Sequence, residues 1–261
     1  MKENYYELSA KERAFYLCDE NTFTEICPKS FDFTSPHLRS LNLSVSENDG
    51  VLIGIGRIMG FKVMIVSQDS SFYGGSVGEI HGARIKGFLD SYVYFEPEGI
   101  IFLIDSGGVR LQEANAGLVS LSEIIKSLLN IRKKGIPVIA VIGGMCGAFG
   151  GMGILARLCS EIIITEKGRL GLSGPEVIET VKGTDEFNSH NKELILKTVG
   201  AQARKEIGEV NFVVMDSINQ IKKAIVSIII ANNIKPKDFY EEVVTEHEIL
   251  KKRLHIFKNE Q

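Results

Sequence analysis

The sequence predicts an α/β fold, and three features carry the expectation. Ile100–Ile104, Pro137–Ile142 and Glu161–Thr165 are continuous apolar runs with the length of buried strands. The segments between them have helical spacing or helix-start chemistry, so strand and helix alternate as in a parallel-sheet protein. Two of the runs end in glycine-rich loops, Asp105-Ser-Gly-Gly108 and Gly143-Gly-Met-Cys-Gly-Ala-Phe-Gly-Gly-Met-Gly153.

The elements follow in order. Ser9-Ala-Lys-Glu12 is a capping box that starts a helix over about 10–19. Residues 27–48, with Ser35-Pro36-His37, are polar and aperiodic and read as a wrapping loop. The apolar runs 51–58 and 61–67, split by Met59-Gly60, read as a hairpin. Gly74-Gly75-Ser76 opens a helix over about 76–95, and its glycines leave the first N–H groups accessible. After the strand at 100–104, a helix over about 111–133 sets Leu118, Leu121, Ile125, Leu128 and Leu129 on one face. Gly135 stops it and Pro137 begins the next strand. A short helix to Leu158, the strand 161–165 and a turn at 171–176 come next. Helices at 189–199, 202–207 and 217–232 and a short strand at 212–215 complete the core. Residues 234–261 carry six Lys/Arg and six Asp/Glu and read as a charged helix or tail. The expected organisation is an N-terminal helix and loop over 1–47, a core over 48–233 and the charged segment over 234–261.

Composition narrows the function. The 261 residues are 44% hydrophobic, enough for one large packed core. A net charge of −3 gives no basic footprint for nucleic acid. No apolar run reaches the ~20 residues of a membrane span and no signal peptide opens the chain, so a cytoplasmic location is expected. Cys18, Cys27, Cys146 and Cys159 form no C-x-x-C pair, which argues against a zinc ribbon; free thiols and no metal site are expected.

The loop at 143–153 holds six glycines in eleven residues. It has no lysine, so it is not the phosphate loop of nucleotide hydrolases. A dinucleotide fingerprint can be laid on Gly151-Met-Gly153-Ile-Leu-Ala156, but the match is weak, since its first glycine lies well past the strand end. Close helix–sheet packing and an oxyanion hole both remain. In the second reading a helix starting near Gly150 offers free, positively polarised N–H groups to a carbonyl that becomes an enolate. The loop after Asp105 ends a second buried strand and would supply a second donor.

Taken together, Gly74-Gly-Ser-Val-Gly-Glu-Ile-His-Gly82, Asp105-Ser-Gly-Gly-Val-Arg-Leu-Gln-Glu113 and Ala148-Phe-Gly-Gly151 resemble the acyl-CoA carboxyltransferases, built on the crotonase fold. The run from Cys159 to Gly171, ending in Pro175-Glu176, is similar to the crotonase core. Gly171-Leu-Ser-Gly-Pro-Glu-Val-Ile-Glu179 and Ser35-Pro36-His37 resemble the family of malonate decarboxylase β subunits. The resemblance spans about residues 8–220. It implies a spiral of ββα units and an oxyanion hole built from Gly108 and Val109 on one loop and Gly150 and Gly151 on the other. Gly75, Ser76, Gly107, Arg110 and Glu176 are the implied substrate or acyl-carrier contacts. It implies a malonyl thioester substrate carried on a phosphopantetheine-type arm (dephospho-CoA derived) of an acyl-carrier subunit, or on CoA, with no cofactor bound directly. It also implies a γ subunit completing the site in a hetero-oligomer. The chain departs from the family at Ser173, Thr180-Val181-Lys182 and Asn188-Ser-His-Asn191. Hydratases of this fold pair a glutamate at the Glu176 position with one just past the glycine loop; here that second position is Ile154, so paired-carboxylate hydration is not expected. Two alternatives stand beside decarboxylation: transfer of the carboxyl group to biotin, and a scaffold subunit without chemistry.

Overall fold

A computed structural model describes residues 4–27, 33–235 and 238–259. Seven strands form one sheet in sequence order: β1 (Thr24–Glu25), β2 (Val51–Ile58), β3 (Phe61–Gln68), β4 (Gly99–Ile104), β5 (Val138–Ile142), β6 (Glu161–Thr165) and β7 (Phe212–Val214). The β1–β2 and β2–β3 pairs are antiparallel, and β3 through β7 run parallel. Every residue of β4 and β5 is buried, which is why these strands are continuous apolar runs rather than alternating ones.

Eleven helices are described: α1 (Ala10–Leu17), α2 (Pro36–Ser40), α3 (Glu79–Asp90), α4 (Tyr92–Phe95), α5 (Asn115–Arg132), α6 (Gly150–Leu158), α7 (Pro175–Lys182), α8 (Lys192–Val199), α9 (Ala201–Glu206), α10 (Ile218–Ile234) and α11 (Phe239–Asn259). One face of the sheet packs on α3, α5 and α6 through Ile85, Leu89, Leu121, Ile124, Leu128 and Met152. The other face packs on α1 and α10 through Ala14, Leu17, Ile221, Ile225 and Ile229. Beyond the strand ends a second ladder of single parallel bridges joins Val77 to Val109, Ser106 to Ala148 and Ala148 to Leu170. Each turn of the chain thus adds one strand to the sheet and one bridge to this ladder, the spiral expected from the resemblance.

The structure differs from the sequence reading at several places, the short edge strand β1 among them. The expected helix over 76–95 starts only at Glu79, with the N–H groups of Gly75, Ser76 and Val77 already taken by Phe72, Tyr73 and Gly108, and it is two helices, α3 and α4, broken where the Ser91 hydroxyl donates to the Phe88 carbonyl. The expected helix at 111 begins at Asn115 instead, because Ala114 takes φ +49° between a 3-10 turn and α5. The loop at 27–48 contains α2, which Ser35 caps and Pro36 starts; residues 28–32 lie outside the described ones. The turn at 171–176 continues into α7, again with proline in the first turn. The charged C-terminal segment is the helix α11 over its described length. No described helix is long and apolar enough to cross a membrane, and no cluster of metal-ligating side chains occurs among the described residues.

Candidate active site

The site lies at the carboxyl ends of β4 and β5, where parallel α/β sheets place their ligands. The Ser106–Ala148 bridge holds the two loops together: Ser106 N–H donates to the Gly147 carbonyl (2.7 Å) and Phe149 N–H to the Ser106 carbonyl (3.0 Å). On the first loop, Val77 bonds to the flanking residues of Val109, donating to the Gly108 carbonyl (2.8 Å) and accepting from Arg110 N–H (2.9 Å). That pattern turns Val109's own N–H to the opposite side. Gly108 N–H donates to the Ser106 hydroxyl (3.1 Å), which tightens the turn.

The second loop delivers the first turn of α6, whose early N–H groups have no helical acceptor. Phe149 is taken by Ser106, Gly150 donates to the Leu172 carbonyl (2.8 Å) and Met152 to Phe149 (3.1 Å). Gly151 N–H has no acceptor among the described residues, and neither has Val109 N–H. The two free donors belong to touching stretches of backbone. A methyl group on Gly108 would lie 3.1 Å from Gly150 Cα and 3.4 Å from Gly151 N, and Gly108 has φ +121°, a conformation L side chains rarely adopt. Both loops therefore approach this closely only with glycine there. Val109 and Gly151 are themselves half-buried.

Beneath the loops lies a residue the sequence reading used only as a strand breaker. Asp105 is fully buried and accepts four hydrogen bonds. Cys146 N–H (2.6 Å) and Gly147 N–H (3.2 Å) reach one oxygen, and Arg13 (2.7 Å) and the Ser70 hydroxyl (2.8 Å) reach the other. Arg13 comes from α1 and also donates to the carbonyls of Tyr5 and Tyr6. The N-terminal helix thus clamps the glycine loop from below through one buried ion pair. The only sequence signal was an arginine on an otherwise core-facing helix.

The expected substrate contacts are placed differently. Arg110 is 1% exposed and enclosed by Asp49 (2.9 Å to each carboxylate oxygen), Glu113 (2.8 Å) and the carbonyls of Asp49 and Ser76. It is a structural ion-pair residue, and the expected substrate contact is corrected. Burial pushes the Asp49 carboxyl up against the pull of Arg110; Glu113, despite burial, is held below its ordinary value by Glu79 N–H, Ser35 and Arg110. Ser76 is likewise turned inward, its hydroxyl donating to the Tyr73 carbonyl (2.7 Å) and its own carbonyl serving Arg110. Gly75 is buried, and a Cβ there would collide with the Asp105 carbonyl oxygen, so it supports the loop from behind. Gly107 is exposed, with its N–H on the Gly74 carbonyl (3.0 Å). Of the four expected oxyanion residues, Gly108 and Gly150 supply shape and Val109 and Gly151 supply the free N–H groups.

Glu176 is exposed in the first turn of α7. Ile154 stands on α6 just past the glycine loop, 45% exposed. Cys146 is half-buried, and burial together with Asp105 pushes its thiol up, which leaves no thiolate nucleophile at neutral pH. His81 is fully buried and lowered to about 3, first by burial. Its Nδ1–H donates to the Asp49 carbonyl (2.9 Å) and its Nε2 accepts from the Gln68 amide (3.1 Å), so it is a neutral packing histidine.

Residues 7–203 match the carboxyl transferase domain. The chain is 36% identical over 241 residues to the malonyl-S-ACP:biotin-protein carboxyltransferase MADC of Malonomonas rubra, covering 87% of this chain and 76% of that one. It is 32% identical over 236 residues to the methylmalonyl-CoA carboxyltransferase 12S subunit of Propionibacterium freudenreichii subsp. shermanii, covering 88% of this chain but only 42% of that longer one. Among solved structures, a Pseudomonas malonate decarboxylase hetero-tetramer in complex with malonate superposes with a TM-score of 0.81 at 33% identity, over 87% of this chain and 84% of the matched one. With the spiral fold and the paired glycine loops in register, the chain belongs to the carboxyl transferase domain family.

Proposed function

We propose that this chain is a carboxyltransferase-type subunit of a malonate decarboxylase, acting on a malonyl thioester. The observation that carries the reading is the pair of unpartnered N–H groups, Val109 and Gly151, on two loops that only glycine lets touch. When a malonyl thioester loses CO2, the electron pair of the broken C–C bond moves onto the thioester carbonyl and gives an enolate. The two N–H groups bind that oxygen more strongly as the charge grows, which lowers the barrier rather than merely holding substrate. The enolate carbon then takes a proton and leaves as acetyl thioester. Glu176, exposed at the start of α7, is this chain's candidate for supplying that proton.

The thioester is carried on a phosphopantetheine-type arm of an acyl-carrier partner. The remaining wall of the site comes from a γ-type carboxyltransferase subunit in a hetero-oligomer. Support for the missing wall comes from apolar side chains left exposed on the elements around the loops: Leu111 (87%), Met145 (60%), Leu172 (65%) and Val181 (80%). The name of the Malonomonas relative supports a second reading, in which the carboxyl group passes to a biotin protein instead of leaving as CO2.

The test is release of labelled CO2 from malonyl-loaded carrier, by the chain alone and with the γ-type subunit. The expected result is release only with the partner and without biotin. Release that requires a biotin protein selects the second reading, and none under either condition supports a scaffold role.

A further inference from the structure

We propose that α11 pairs antiparallel with the α11 of a second copy of this chain, joining two catalytic units tail to tail. One face of α11 is held to the body. Glu242 bridges Arg132 at 2.7 Å, Glu246 lies 3.8 Å from the same guanidinium, and the Phe239 ring sits 5.4 Å from Arg132 and 5.7 Å from Lys133. A second face, about a quarter-turn round the helix, carries Tyr240 (71% exposed), Val243 (48%), His247, Leu250 (52%) and Leu254 (60%), all exposed. Their spacing is three, four, three, four, the alternation of a coiled-coil seam. A seam of this kind on a helix 21 residues long, about 30 Å, calls for another helix rather than a small ligand.

The charge pattern selects the occupant. In sequence the first half of the helix is acidic (Asp238, Glu241, Glu242, Glu246, Glu248) and the second half basic (Lys251, Lys252, Arg253, Lys258). A parallel second copy would set acid against acid and base against base. An antiparallel copy sets each acidic half against a basic half. The apolar positions are symmetric about the point between 248 and 249, so in that arrangement Val243 falls level with Leu254 of the second copy and His247 with its Leu250. The helix is thus complementary to itself in one orientation only.

The experiment uses the full chain assembled with its partner subunits. Light scattering after size exclusion is expected to give particles containing two copies of this chain. Leu250→Glu, on the exposed seam, is expected to halve the mass while leaving the melting temperature, partner content and CO2 release unchanged. Val243→Cys and Leu254→Cys copies mixed together are expected to form a disulfide-linked dimer under mild oxidation, well above the amount from either variant alone. Particles holding one copy at the highest soluble concentration would overturn the proposal. So would loss of a partner subunit, rather than of the second copy, in Leu250→Glu, or cross-linking of Val243→Cys to itself at least as strongly as to Leu254→Cys, the signature of a parallel pair.

Discussion

Replacing Gly108 with alanine is expected to lower the turnover number for CO2 release by about 10²–10³, while KM for the malonyl carrier changes only a few-fold. The added methyl would sit 3.1 Å from Gly150 Cα and 3.2 Å from the Phe149 carbonyl oxygen, on backbone that has no flexible end to swing away. The loops must separate, and a donor pair held by that contact loses its common target. The split between kcat and KM is the informative part. A donor that strengthens only as the enolate forms affects the chemical step, whereas a purely structural loop would lose binding and stability together. Steady-state kinetics on the assembled enzyme, with circular dichroism to show that the variant is folded, measures it.

The second large effect is on stability. Arg13→Met removes the cation from a pair in which both side chains are almost wholly enclosed, 3% exposed for Arg13 and 0% for Asp105. An uncompensated buried carboxylate costs about 3–5 kcal/mol. For a chain of this size each kcal/mol moves the melting temperature by roughly 2–4 °C, so a fall on the order of 10 °C is expected in a thermal melt. The double variant Arg13→Met with Asp105→Asn, which takes away the stranded charge, is expected to recover part of that loss. Arg13→Met should also slow turnover in whatever fraction stays folded, because the same carboxylate positions the N–H groups of Cys146 and Gly147 under the glycine loop.

Those two residues also show where sequence reading stops. The strands β4, β5 and β6 were legible because burial on both faces writes a continuous apolar run, and the start of α6 was legible because a glycine-rich loop follows β5 at once. The paired glycine loops were legible for the same reason, together with their resemblance to a family. The partners of the charged residues were not. Arg110 stands next to the loop and reads as a ligand contact, yet its guanidinium is spent on Asp49, 61 positions earlier. Asp105 reads as a strand terminator, yet its partner Arg13 lies 92 positions away on the first helix. Spacing along the chain carries helix and strand periodicity, but ion pairs this distant depend on how the spiral stacks its turns. The helix α7 escaped for a local reason: Ser-Gly-Pro-Glu has the composition of a turn, and proline at a helix's first position looks the same as proline that ends one.

The central claim is that Val109 and Gly151 bind an oxygen whose charge appears only during reaction. The most direct measurement is the affinity of the assembled enzyme for a nitroalkyl analogue of the carrier thioester, which ionises to a nitronate and places negative oxygen where the enolate oxygen would form. The account predicts that the nitronate binds at least about 10²-fold more tightly than the acetyl thioester. It also predicts that Gly108→Ala abolishes the difference while acetyl thioester binding stays within a few-fold. Equal affinity for the two compounds in the unaltered enzyme would contradict it.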